Sequence, residues 1–209
     1  MRVIIAIGVL AWFAGIAWGL QKIQIYSATP GTAAVAPLSW PGSRLVARDP
    51  GRATLVMFIH PQCSCTRASL AELDTILEKA GGSLGAWVVV LEPRGMSDDW
   101  SRSRTWEAAR EMRGVTVVMD EEGTEAARFG GSTSGHVVLY SASGQLAFTG
   151  GITAARGHVG DNNGRERILS LVATGSADSN SHEVFGCGLH DPNPRMDDAH
   201  DHSHAHPAL

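Results

Sequence analysis

Cysteine is scarce in this chain of 209 residues; the three present are too few to staple a disulfide scaffold. Basic charge is also short, with 17 Lys and Arg against 21 Asp and Glu, a net charge of −4 and a pI near 6.1. Without a basic footprint, a nucleic-acid partner is excluded as the working expectation. No segment repeats internally, so solenoid and propeller arrays are set aside. The glycine-rich stretch Gly150 to Arg165 lacks the Lys-Ser/Thr of a P-loop and the glycine spacing of a dinucleotide fingerprint. What remains is a chain with 44% hydrophobic residues, enough for one compact domain with an extension at each end.

The N-terminal extension opens with an uncharged run, Val3 to Leu20, that contains Trp12 and Trp18. At ~1.5 Å rise per residue the run just spans a bilayer core of ~30 Å. A cleaved signal peptide competes with this reading, but its apolar core is usually about 7–15 residues. The nearest small-x-small site, Ala34-Val35-Ala36, lies far beyond the run. Residues 1–23 are therefore expected to form a transmembrane signal anchor, with the body exported to a compartment where disulfides persist. Residues 24–43 turn to Ala, Thr, Gly, Pro and Ser and read as a flexible linker, with Pro37 to Pro41 able to lie on the body. Residues 44–189 form the body, and 190–209 a disordered His/Asp-rich tail.

The most telling stretch of the body is His60-Pro61-Gln62-Cys63-Ser64-Cys65-Thr66. Before it, Thr54 to Ile59 is short, apolar and rich in β-formers, as in a buried strand. After it, Leu70, Leu73, Ile76, Leu77 and Ala80 share one helical face that ends at Gly81-Gly82. Two cysteines thus stand where a strand becomes a helix. Unpaired N–H groups and the dipole at a helix N-terminus favour an anion, so a thiolate there is stabilised. Only the thiolate attacks disulfides or binds soft metals. Packing as small hydrophobes is the bland alternative, and the polar setting fits it poorly.

Elsewhere Arg44 to Ala47 reads as a strand, Asp49-Pro50-Gly51 as a turn, and Ala86 to Leu91 as a central parallel strand. Ser97 is positioned to cap a segment leading to a helix over Trp106 to Arg113, stopped by Gly114. Val115 to Met119 follows as a strand, then a short helix from Thr124 to Phe129. His136 to Tyr140 and Gln145 to Thr149 suggest a hairpin, and Gly164 to Thr174 a closing helix. This alternation gives an α/β fold with a central mixed sheet flanked by helices in three layers.

Strand, paired cysteines and helix together resemble the opening of the thioredoxin fold. The stretch His60 to Leu73 is similar to bacterial RedB-type thioredoxin-like proteins, as are Ser134 to Tyr140, Gly150 to Asp161 and Val184 to Cys187. The resemblance implies a membrane-anchored thiol-disulfide oxidoreductase at the bacterial inner membrane, facing the periplasm or cell exterior and acting on protein thiols or disulfides. It also implies that Cys63 is the exposed attacking thiol and Cys65 the resolving one. A Cys63–Cys65 disulfide would close a very small, strained ring, and strained disulfides are readily reduced. Relatives usually place a cis-proline opposite the cysteines; here Ser132-Thr133-Ser134-Gly135 stands there, so hydroxyls such as that of Ser134 can contact substrate. The peroxiredoxin pattern Pro-x-x-x-Thr-x-x-Cys is missing before Cys63, which counts against a peroxidase.

Further candidates surround this core. His60 and Arg67 are near enough in sequence to lower the pKa of Cys63. The inferred topology brings the loop after Thr149, with Arg156, His158, Asp161 and Asn162, back beside Cys63. Cys187 can return to the same edge if Phe185 docks, as a resolving thiol or a third ligand. No cofactor is required. The rival reading is copper or zinc handling through Cys63, Cys65 and Cys187 or His136, with His200, His202, His204 and His206 gathering the metal.

Overall fold

A computed structural model describes residues 2–32 and 35–189 of the chain. Its first element, α1, is one helix over Arg2–Ala28 in which no residue is buried. By length and composition α1 is apolar enough to cross a membrane.

The body is built on six strands: β1 (Ala53–Ile59), β2 (Leu84–Glu92), β3 (Val115–Glu121), β4 (His136–Tyr140), β5 (Leu146–Gly150) and β6 (Ser181–His182). They lie in the order β3-β2-β1-β4-β5-β6. β1, β2 and β3 are parallel, β4 runs antiparallel to both β1 and β5, and β6 is parallel to β5. Helices α2 (Thr66–Ala80), α3 (Asp98–Ser101), α4 (Arg104–Glu111), α5 (Thr124–Arg128) and α6 (Asn163–Thr174) flank the sheet. This is the three-layer, thioredoxin-like fold that the sequence leads one to expect.

Strand alternation explains the two cores. Leu55, Met57 and Ile59 of β1 face Leu73 and Ile76 of α2 and Ile168 of α6, while Val56 and Phe58 face Phe129, Val138 and Tyr140. With both faces covered, β1 must be apolar throughout, and six of its seven residues are buried. The helix ends follow their residues. Gly81 closes α2 and Gly175 closes α6, both left-handed, and the Asn162 side chain accepts the Arg165 N–H to cap α6.

Three sequence expectations are corrected. Arg44 to Ala47 is not a strand: the Ser43 hydroxyl accepts the N–H groups of Leu45 and Val46, which turns the chain and drives Val46 into the core. The helix expected over Trp106 to Arg113 is α4, which starts two residues earlier and ends at Glu111. The segment read as a free linker is instead a strap. α1 continues to Ala28; beyond it Gly31 donates to the Val184 carbonyl, Leu146 to Leu38 and Trp40 to Gly144, while the Tyr140 hydroxyl bonds the Pro37 carbonyl. Ala36 is buried in the second core, and Trp40 packs edge-on against Phe129 and Tyr140.

Candidate active site

β1, β5 and β6 all run toward the same end of the sheet, so their continuations converge there. The residues after β1 form a tight turn in which Cys63 N–H donates to His60 O at 3.1 Å and Thr66 N–H to Cys63 O at 3.2 Å. Cys65 is the N-cap of α2 without a capping side-chain bond. Ser134 fastens this turn from across the sheet: its hydroxyl accepts the His60 N–H and pairs with the Thr66 hydroxyl, each at 2.8 Å.

After β6 the chain crosses the same end. Cys187 O accepts from Ser134 N–H at 2.8 Å, Leu189 N–H donates to Ser132 O at 2.9 Å, and Gly188 bridges Thr133 in antiparallel fashion. Gly186 packs on the Ser134 carbonyl, where a Cβ would collide with it. Phe185 and Leu189 are buried on either side. The Cys63 and Cys187 sulfurs consequently meet at 2.9 Å in hydrogen-bond contact. All three cysteines are free thiols; Cys63 and Cys65 are buried and Cys187 is partly exposed.

Hydrogen bonding within the cluster sets its charge. Bonds from Cys187 and then Cys65 hold Cys63 far below the usual thiol range, against burial, with the Cys187 backbone and Thr66 adding to the effect. Cys187 is pushed up because its proton serves Cys63 and then Cys65, and burial raises it further. The bond of Cys65 to Cys187 favours its thiolate, but the bond to Cys63, burial and the Cys63 charge together raise it. These directions together favour a thiolate on Cys63 over one on Cys65 or Cys187.

Each residue nominated from the sequence within the described part of the chain has a definite place. Cys187 joins the cluster, as the docked Phe185 requires. Cys63 is not the exposed thiol: it is 1% exposed, and its sulfur lies against that of Cys187. Neither His60 nor Arg67 is what depresses its pKa. The His60 ring accepts the Gln62 N–H and meets Trp100 edge-on, which stiffens the turn. Arg67 is exposed and lines a groove between α2 and α4 with Asp74 and Arg104. Arg156 does reach the site: its guanidinium donates to the Gly186 and Thr29 carbonyls, and its charge favours the Cys65 thiolate. His158 is exposed, and Asp161 pairs with Arg165 at 3.3 Å. His136 is buried with its Nε2 on the Thr149 hydroxyl at 2.9 Å, and its Nδ1 has no partner. His200, His202, His204 and His206 lie outside the described residues. Among the described residues, no group of three or more His, Cys, Asp or Glu is placed to hold a metal ion.

Sequence reasoning missed Glu72. Buried on α2, it binds Arg165 at 2.6 Å, Gly160 N–H at 2.7 Å and Asn162 at 3.2 Å, clamping the loop that carries Arg156. A glutamate on the otherwise apolar side of the α2 helix was the available signal.

Solved structures overlap with this architecture. A hypothetical protein from Sinorhizobium meliloti 1021 aligns over 78% of this chain and 95% of its own, with 19% identity and a TM-score of 0.57. An uncharacterized conserved protein from Geobacillus kaustophilus aligns over 79% and 99%, with 14% identity and a TM-score of 0.57. At such identities the likeness is one of fold. The pneumococcal exposed lipoprotein thioredoxin from Streptococcus pneumoniae overlaps over 67% of this chain and 98% of its own, at 18% identity and a TM-score of 0.41, too loosely to bear on activity. No family model matches the chain, and no curated protein matches it.

Proposed function

We propose that this protein is a membrane-tethered, extracytoplasmic thiol-disulfide oxidoreductase of the RedB type, with the Cys63 thiolate at its centre. The observation that carries this reading is the contact of the free thiols of Cys63 and Cys187 at the head of α2, with hydrogen bonding that favours the thiolate on Cys63. A thiolate beside a protonated thiol has the two partners that disulfide exchange needs, a nucleophile or leaving group and a resolving sulfur. The close contact makes Cys187 the resolving sulfur in preference to Cys65. The length and apolar composition of α1 support an anchor at the bacterial inner membrane, with the body facing the periplasm or cell exterior and protein thiols or disulfides as substrates.

The test is exchange with a disulfide-bonded peptide, using the full chain in detergent. Cys63→Ser is expected to abolish exchange and Cys65→Ser to leave most of it. Full activity in Cys63→Ser would overturn the reading. Copper or zinc bound by the same thiols is the rival. Near-stoichiometric metal in protein purified without an affinity metal, lost in Cys65→Ser, would favour it.

A further inference from the structure

Of the cluster's sulfurs, the one best placed for exchange is not the one a partner can reach. Cys63 is 1% exposed and Cys65 7% exposed, whereas Cys187 is partly open to solvent. Cys187 lies directly against Cys63, on the segment over residues 184–189. That segment is seated by main-chain bonds to Ser132 and Ser134, by a bond from Arg156 to the Gly186 carbonyl, and by the Gly31 N–H on Val184 O. The seat leaves little latitude, since Gly186 lies against the Ser134 carbonyl with no room for a side chain. With Cys63 buried and Cys187 partly open, an approaching thiol therefore meets Cys187 first.

We infer that Cys187 is the sulfur that an outside thiol attacks, and that Cys63 is the sulfur that leaves. The inference rests on the oxidoreductase reading above and fixes its polarity. An external disulfide first oxidises the Cys63–Cys187 pair by two electrons and is itself reduced to two thiols. A thiolate of a protein dithiol then attacks Cys187 Sγ. A bond forms between the incoming sulfur and Cys187, the Cys63–Cys187 bond breaks, and its electron pair departs on Cys63. The second thiol of the partner, as its thiolate, attacks the partner sulfur held on Cys187. The partner leaves with an internal disulfide, and Cys187 takes up a proton.

The chemistry favours Cys63 as the sulfur that departs in the first attack. Exchange is faster when the departing thiol has the lower pKa, and Cys63 is the stabilised thiolate of the cluster. Protonated Cys65 and the Thr66 hydroxyl remain in place to receive the charge on Cys63 as the bond breaks. The mixed disulfide thus resides on the C-terminal segment. In this half-reaction the α2 N-terminus holds the departing thiolate and does not carry the partner.

The test is the position of the mixed disulfide. The full chain in detergent is oxidised with diamide, mixed with glutathione, quenched with acid over a series of times, and the adduct is located by peptide mass mapping. At least tenfold more glutathione on Cys187 than on Cys63 and Cys65 together is expected. Adduct mainly on Cys63 or Cys65, oxidation to a Cys63–Cys65 bond, or reduction with no adduct on Cys187 at any quench time overturns the inference. If exchange proceeds with the adduct on Cys63, only the point of attack is wrong. If Cys63→Ser exchanges as well as the native chain, the oxidoreductase reading itself has failed.

Discussion

Two straps cross the body from opposite ends of the chain; both combine main-chain bonds with buried side chains, and only the second carries a cysteine. In the N-terminal strap Ala36 is buried, Trp40 packs on Phe129 and Tyr140, and the Tyr140 hydroxyl bonds Pro37. The C-terminal strap, residues 181–189, pairs with β5 and with the Ser132–Ser134 loop through its backbone, and Gly186 fits because it has no side chain. The two meet where Gly31 donates to Val184 and around a cavity over His136 lined by Pro30, Thr32, His182 and Glu183. Because only the second strap carries a cysteine, the first should bear chiefly on how firmly the body folds, and the second on where Cys187 stands.

The largest expected effect falls on the seam between them. Burial pushes the pKa of His136 down to about 4, so the folded protein keeps the ring neutral where the unfolded chain, with a pKa near 6.5, takes up a proton. Between those values the unfolded state binds more protons. Stability is thus full above about pH 6.5 and is lost progressively, by about 3 kcal/mol, as pH falls toward 4. Urea unfolding at a series of pH values measures this, and His136→Gln should flatten the slope.

Next in size is Trp40→Ala, expected to cost about 2 kcal/mol, below a fully buried tryptophan because this ring is half-buried. Exchange rates in the folded variant should match the native chain. A loss of exchange with unchanged stability would break the division between the straps.

The converse variant is Gly186→Ala. Its Cβ collides with the Ser134 carbonyl, so Cys187 should be displaced from Cys63. Exchange is expected to fall by about tenfold, equivalent to ~1.4 kcal/mol in the barrier. The denaturation midpoint should change little. Smallest of all, Arg156→Ala removes one bond to the Gly186 carbonyl and a neighbouring positive charge, and should slow exchange severalfold without altering the fold. Alkylation rates at Cys187 sharpen both results, since an unseated segment labels faster.

How much of this was legible varies with the range of the interaction involved. The β1 and β2 strands, the α2 face ending at Gly81 and the hairpin follow from local periodicity and turn residues, and the structure keeps all of them. Arg44 to Ala47 misled because a Ser43 side chain competes for its backbone donors, a detail that apolar content does not record. The strap over residues 29–32 and 35–40 misled for the opposite reason. Ala, Pro and Gly make it look unstructured, and only a hydrophobic face elsewhere in the chain gives Ala36 and Trp40 somewhere to bind.

By itself the sequence determined that a thiol pair stands at a strand–helix junction in a mixed α/β sheet, behind an apolar helix long enough to cross a membrane. Those properties depend on neighbours a few residues apart. The tertiary structure decided which sulfur meets which: Cys63 lies beside Cys187, 124 positions away, and not in a bond with Cys65 two positions away. It also decided which thiol carries the charge and which faces solvent. The reason is that β5 and β6 return the chain to the end of the sheet where β1 delivers the cysteines. The backbone pairing at Ser132–Ser134 that seats Cys187 there depends on a distant partner strand, which no local pattern encodes.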